Sequence, residues 1–282
     1  MPHTYLETLN AFTSFLTAYT HTLLYLRALY PKTSFVQSRF HNTAVHQSRH
    51  PLVCEWIRDA VAAVREDLLE GTVSRIAIVV FSYADSDGVN TGSAKIMERY
   101  MFDVSGLPVV GRNERNIELE WQGSDDDGVG AEEDEVTRKQ GRTKELDADV
   151  DVDLSEQFRA AIIALTIRTS QLASLPPNCS FNISMELKDD ADIDPPIRYP
   201  QPWIPVQPSL QKTGRKATVR DEDEEHEVEK GKVEGEDLGG VKVTPLRTVE
   251  AGVFRFETWV EEGRAKFEGQ DSTKTSFASS VS

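Results

Sequence analysis

The chain is poor in the signatures that enzymes carry. It has no GxxxxGK[ST] phosphate loop, no GxGxxG after an apolar run, no GxSxG and no HExxH. Its 282 residues include two cysteines, Cys54 and Cys179, with no CxxC spacing. That excludes a disulfide framework or a cysteine-based zinc site, and reduced core thiols are expected. No run of about 18 apolar residues is present, so no helix is expected to span a membrane. The N-terminus has neither the basic segment nor the apolar core of a secretory signal, which predicts cytosol or nucleus. The sequons Asn178-Cys179-Ser180 and Asn182-Ile183-Ser184 are therefore expected to stay unmodified. Clustered Lys and Arg are also lacking. The formal net charge is −16, and direct nucleic-acid binding needs cations that displace counterions from phosphates.

The charge that is present is localised. Residues 122–153 hold 12 Asp/Glu against 4 Lys/Arg, and 209–240 hold 10 against 6. These two stretches contribute −8 and −4, which leaves the remainder near −4. Both carry too few apolar residues to offset chain entropy and are expected to be disordered insertions. The acidic runs Asp125–Asp127 and Asp221–Glu225 read as solvated charge rather than cation sites. His46 and His50 stand four apart, but Pro51 argues against one helix through both, so they read as ordinary loop histidines.

The rest of the chain is patterned. Tyr5, Leu9, Phe12, Leu16, Tyr19, Leu23, Leu26 and Tyr30 recur in steps of four and three, predicting a helix over 4–30. Thr4 and Glu7 form its capping box, and Pro31 its stop. Phe15, Leu24 and Leu29 make further faces apolar, as in a central helix packed on several sides. Residues 33–46 read as a loop or short hairpin. A second helix starts at Pro51, buries Val53, Ile57, Ala60, Val61, Val64 and Leu68, and ends at Gly71. Arg75–Phe81 is a β-branched run expected to be covered on both faces, with a loop over 82–94. Ile96, Tyr100, Phe102 and Val104 mark its half-buried hairpin partner. A third helix is expected from Leu154, capped by Asp153 and Glu156, with Phe158, Ala161, Ile162, Leu165, Thr169 and Leu172 inward and Pro176-Pro177 as its stop. Phe181, Ile183, Met185 and Leu187 alternate as a strand. A Pro-rich arm over 189–208, strands Val241–Leu246 and Val253–Val260, and a Ser/Thr-rich tail 263–282 complete the chain. The order predicts an α+β fold, with helices against a mostly antiparallel sheet.

Two tryptophans admit two readings each. Trp56 stands beside the apolar position Ile57 and fits either the edge of the core or a contact surface. Trp203, within Pro200-Gln201-Pro202-Trp203-Ile204-Pro205, either packs the arm down or anchors a partner.

These segments resemble a known family. Leu24–Pro31, Phe35, His50-Pro51 with Trp56-Ile57, Tyr100–Val104, Gln157–Ala160, Pro176–Phe181, Pro202–Ile204, Thr244–Thr248 and Trp259–Glu262 match, in order, the HORMA-domain accessory (mitotic-arrest-deficient 2-like) subunits of DNA polymerase zeta. The resemblance implies a HORMA fold over 1–262, with three helices on a mostly antiparallel sheet and a C-terminal safety belt over 190–262. The belt closes around a partner peptide that adds as a strand. It implies a non-catalytic adaptor in translesion synthesis, without cofactors or metal. Trp56, Trp203 and Pro205 would contact the peptide of the catalytic subunit. Leu246, Glu257 and Trp259 would receive a Y-family scaffold polymerase. Arg159 would lie where HORMA domains pair, with a second copy or another HORMA protein. An AAA+ remodelling ATPase is a further implied partner, and the nucleus the implied compartment, with cytoplasm open as well. Pro205 replaces an apolar residue of the family, and Glu257 a neutral amide. A spindle-checkpoint HORMA protein, or a general repair or chromosome adaptor with another peptide, stays open as an alternative.

Overall fold

The computed structural model describes residues 4–84, 90–117, 139–188, 241–251 and 254–267. The chain divides into two compact units: Met1–Val73 with Val104–Ser170 and Arg247–Glu257, and Ser74–Asp103 with Gln171–Leu246 and Thr258–Ser282.

The first unit is built around α1 (Tyr5–Leu26). The capping box is formed as expected: Thr4 Oγ1 accepts the Glu7 N–H at 3.2 Å, and the Glu7 carboxylate accepts the Thr4 N–H at 3.0 Å. The helix ends at Leu26, before the expected Tyr30. Ala28 takes a positive φ of 52°, and the Leu29 N–H turns back to the Leu24 carbonyl, so the stop is a left-handed turn rather than Pro31. Tyr5, Leu9, Phe12, Leu16, Tyr19 and Leu23 are buried, and so are Phe15 and Leu24, which is the multi-sided packing the sequence predicts.

A hairpin follows, of β1 (Phe35–Phe40) and β2 (Thr43–Ser48), antiparallel with Phe40 opposite Thr43. His41 and Asn42 between them both have positive φ, the backbone of a two-residue turn that matches strand twist. Helix α2 (Pro51–Glu70) starts on its proline and ends on Gly71 at φ 76°. Ile57, Val61, Val64 and Leu68 are buried as expected, whereas Val53 and Ala60 are only half-buried.

Helix α3 spans Lys139–Thr169, so it starts well before Leu154, and Asp153 lies inside it rather than capping it. In the overlapping part of the acidic stretch, 139–153, Asp, Val, Thr and Gly outnumber the strong helix formers, so local propensity does not account for the helix there. Residues 122–138 and the insertion 209–240 lie outside the described residues. Phe158 of α3 stacks on Phe15 of α1 at 4.6 Å and 10°. Phe12 meets Phe254 at 5.5 Å and Phe256 at 5.1 Å, both edge-on. Each such pair contributes about 0.5–1.5 kcal/mol beyond the area it buries.

The sheet has the strand order β5-β3-β4-β7-β6, and apart from Val73 and Arg247–Glu257 its residues belong to the second unit. Its strands are β3 (Val73–Ala84), β4 (Asn90–Asp103), β5 (Cys179–Leu187), β6 (Val241–Ala251) and β7 (Phe254–Gly263). Strands β3 and β4 form the expected antiparallel hairpin, with a register shift between Val80 and Phe81. They extend into the segment read as a loop, so that Ala84 still pairs with Asn90. Ile76, Ile78, Val80, Tyr100, Phe102, Ile183 and Val260 are buried. The alternation in β4 was expected to leave its polar residues outward. Instead Glu98 is 0% and Arg99 2% exposed, because each has a charged partner across the sheet. In β5 only Ile183 of the expected inward set is fully buried; Phe181, Met185 and Leu187 are half-buried.

Strand β7 continues to Gly263, past the expected Val260, and a helical turn follows over 265–267. Gly263 permits this, since a Cβ there would lie 2.5 Å from the Ile96 carbonyl oxygen. Residues 263–267 therefore belong to the folded unit rather than to a disordered tail, and 268–282 lie outside the described residues.

Candidate partner-binding surface

Among the described residues, β5 and β6 are the two edges of the sheet. An edge strand presents a row of backbone N–H and C=O groups to which an extended segment can add. Strand β5 is fixed to β3 by more than its ladder. The Ser74 hydroxyl donates to the Glu186 and Leu187 carbonyls at 3.0 and 3.3 Å. Arg75 spans two strands, donating from Nη1 to Glu186 at 2.9 Å and from Nε to Asp103 at 3.3 Å. Burial pushes Glu186 up from the ordinary carboxylate range, against the pull of Arg75. The same face holds a cavity of about 20 Å³ bordered by Arg75, Arg99 and Glu186. That volume admits a water or a side-chain tip, far short of the roughly 300 Å³ at which small-molecule pockets begin.

Farther along this face, Trp259 packs with Ala77 and Met101. Its indole N–H donates to Glu261 Oε1 at 2.8 Å. The other Glu261 oxygen meets Arg99 Nη2 at 2.7 Å, with both side chains almost wholly buried. Desolvating two such charges is costly, and their 2.7 Å contact recovers part of that cost. The sequence reading missed Arg99, Glu261, Glu98, Glu262 and Lys266. Only Glu98 and Glu262 carried a signal, since they fall in the apolar series of their strands; Arg99, Glu261 and Lys266 did not.

The residues singled out from the sequence are distributed as follows. Trp56 is on α2 and 40% exposed, with Leu52, four residues earlier on the same helix face, also exposed at 69%. Arg159 lies on α3, where its guanidinium meets the Glu156 carboxylate at 3.0 Å on the helix surface. Ile163 and Ile167, one and two turns farther on, are exposed as well. Leu246 is half-buried on β6. Glu257 is half-buried on β7, within 3.8 Å of Arg255. Trp259 shares the Glu257 side of the strand by alternation but is 3% exposed, so it packs inside the unit rather than standing open to solvent. Trp203 and Pro205 lie outside the described residues.

His46 stacks flat on the Tyr25 ring at 3.5 Å, and burial together with Lys32 lowers its pKa. Among the described residues no group of three His, Cys, Asp or Glu is placed to hold a metal ion. No described helix is long and apolar enough to cross a membrane.

Comparison with known proteins adds a likeness that covers most of the chain. The family model for the HORMA domain matches residues 8–236. The DNA polymerase zeta processivity subunit of Schizosaccharomyces pombe is 26% identical over 254 residues, covering 90% of this chain and 92% of that protein. The mitotic spindle assembly checkpoint protein MAD2B of Danio rerio is 20% identical over 255 residues, covering 89% of each. In fold, a chain of the crystal structure of the mitotic checkpoint complex superposes with a TM-score of 0.54 at 15% identity, covering 90% of this chain and 97% of that one.

Proposed function

The chain belongs to the HORMA-domain family, a family of non-catalytic adaptors, and from that premise we propose that it is the adaptor subunit of a translesion DNA polymerase zeta. The observation that carries this reading is the likeness to the fission-yeast processivity subunit, which runs almost end to end through both proteins. In this reading a proline-containing peptide of the catalytic subunit adds to edge strand β5 and is enclosed by the belt over 190–262. Main-chain hydrogen bonds supply affinity, and Trp56, Trp203 and Pro205 supply selectivity. Leu246 and Glu257 form the receiving region for a Y-family scaffold polymerase, and Trp259, packed inside the unit, supports it from within. Arg159 is the pairing position toward a second HORMA domain, and an AAA+ ATPase reopens the belt. The adaptor thereby joins the polymerase that inserts opposite a lesion to the one that extends past it, in the nucleus.

The likeness to MAD2B of Danio rerio supports a second reading, a checkpoint role with a different captured peptide. One experiment separates the two. Fluorescence anisotropy is measured with a proline-containing peptide from the same organism's polymerase zeta catalytic subunit, followed by a dissociation chase. Tight binding with slow release, weakened in Trp203→Ala, is the expected result. A folded protein that ignores this peptide but captures one from a spindle-checkpoint partner would overturn the translesion reading.

A further inference from the structure

Three charged side chains meet inside the second unit with no exposure to solvent. Lys266, from the turn after β7, sends its ammonium to Glu98 of β4 and to Glu262 of β7, and all three side chains are 0% exposed. The Tyr100 hydroxyl donates to the second Glu98 oxygen at 2.8 Å. Lys242, the second residue of β6, reaches the other Glu262 oxygen at 3.4 Å while remaining 65% exposed. Glu262 is thus gripped from both sides: by a lysine at the start of β6 and by one just beyond the end of β7.

Three observations mark this as more than a chance contact. Gly263 lets the chain pass so close to β4 that a Cβ would meet the Ile96 carbonyl, so the backbone is shaped to deliver Lys266. The lysine lies just beyond β7 and pairs with a carboxylate 168 residues away. Two buried carboxylates against one buried lysine leave a negative charge that Lys242 is placed to offset. A hydrophobic trio would hold strands together with less desolvation. A charged one makes attachment depend on every member being in place.

We propose that Lys266, Glu262, Glu98 and Lys242 form an electrostatic clip that holds the β6–β7 pair on β4 and sets how long a captured peptide is retained. The link to retention rests on the capture reading above, in which β6 and β7 belong to the belt; the link to strand attachment does not. Lys266 and Lys242 are positioning residues that need not touch the peptide. Withdrawal of Lys266 takes the shared ammonium from two buried carboxylates and leaves them only Tyr100, Lys242 and their other contacts, which weakens the hold of β7 on β4.

The test uses the full chain and two readouts. Amide hydrogen exchange over 254–267, without peptide, reports strand attachment. The dissociation chase with the fluorescent catalytic-subunit peptide reports retention. Lys266→Met is expected to speed exchange in β7 by at least about a hundredfold, with α1 and α2 protected as in the wild type, and to speed peptide release. Adding Glu98→Gln should recover part of both, because one buried negative charge is removed. Lys242→Ala, at an exposed position, is expected to give about a threefold change, and it carries the test if Lys266→Met does not fold. Unchanged β7 exchange in both lysine variants would overturn the clip. Faster exchange with unchanged release would overturn its control of retention. Failure of the wild type to bind the peptide, with β7 protected, would count against the capture reading and leave the clip to be judged by exchange alone.

Discussion

Substitution of Trp259 separates a structural role from a contact role. The indole is 3% exposed and packs with Ala77 and Met101, and its N–H reaches Glu261 at 2.8 Å. Trp259→Ala removes a whole buried ring, for which about 3–5 kcal/mol is typical. It also takes a donor from a buried carboxylate, worth about a further 1–2 kcal/mol. A loss of that size is a large part of the roughly 5–15 kcal/mol that holds an ordinary domain folded. Trp259→Phe keeps most of the ring, and Glu261 retains Arg99 at 2.7 Å, so about 1–2 kcal/mol is expected. Leu246→Ala, at a half-buried position, should cost no more than about 1.5 kcal/mol. Urea unfolding measures all three, and binding of the scaffold polymerase's C-terminal domain is measured on the same samples. Trp259→Ala is expected to lower peptide capture and scaffold binding together. Leu246→Ala should lower scaffold binding alone. A Trp259→Ala protein as stable as the wild type would refute the packing argument and return the indole to the contact surface.

Other outcomes follow from individual sites. Asp67 is 7% exposed, and burial with Glu70 and Glu66 nearby pushes its carboxyl up to about 6. A raised carboxyl favours the protonated fold, so stability should fall as pH rises from about 4 to about 6. Asp67→Asn should add about 1–2 kcal/mol at pH 7 and nothing below pH ~4, as read from urea midpoints. His21 has the opposite sign: its Nδ1 accepts the Ser48 N–H at 3.4 Å, and burial lowers its pKa. Stability tied to the neutral ring is complete above pH ~6.5 and is lost as pH falls toward the lowered value, which His21→Gln should flatten in a melting-temperature series. Gly71 sits at φ 76° with Val109 methyls 2.8 Å from a would-be Cβ. Gly71→Ala should therefore cost more than the usual 1 kcal/mol or so of a left-handed cap, visible as a lower melting temperature with α2 otherwise intact. Trp56→Ala, at an exposed ring, should leave stability within about 0.5 kcal/mol and weaken peptide capture by more than about 1 kcal/mol. Unchanged affinity would remove it from the binding surface.

The sequence determined what depends on near neighbours. Steps of three and four residues place Tyr5, Leu9 and Phe12 on one side of α1. Thr4 and Glu7 start that helix, Pro51 and Gly71 bracket α2, and the β-branched run from Arg75 predicts β3, because caps and periodicity act within one or two turns of backbone. The order of matching segments also made the family legible before any coordinates. Where local cues competed, the sequence reading slipped: Ala28 ended α1 ahead of Pro31, and α3 began at Lys139 within an acidic stretch. What only the tertiary structure decided is where the charges go. Arg99, Glu261, Glu98, Glu262 and Lys266 look like solvated residues in a strand and a tail, and nothing nearby in sequence reveals that Lys266 will find Glu98. Burying a charge costs least where an opposite charge waits within a few ångströms, and for Glu98, Arg99, Glu261, Glu262 and Lys266 that juxtaposition exists only once β4, β7 and the turn after it have been assembled side by side.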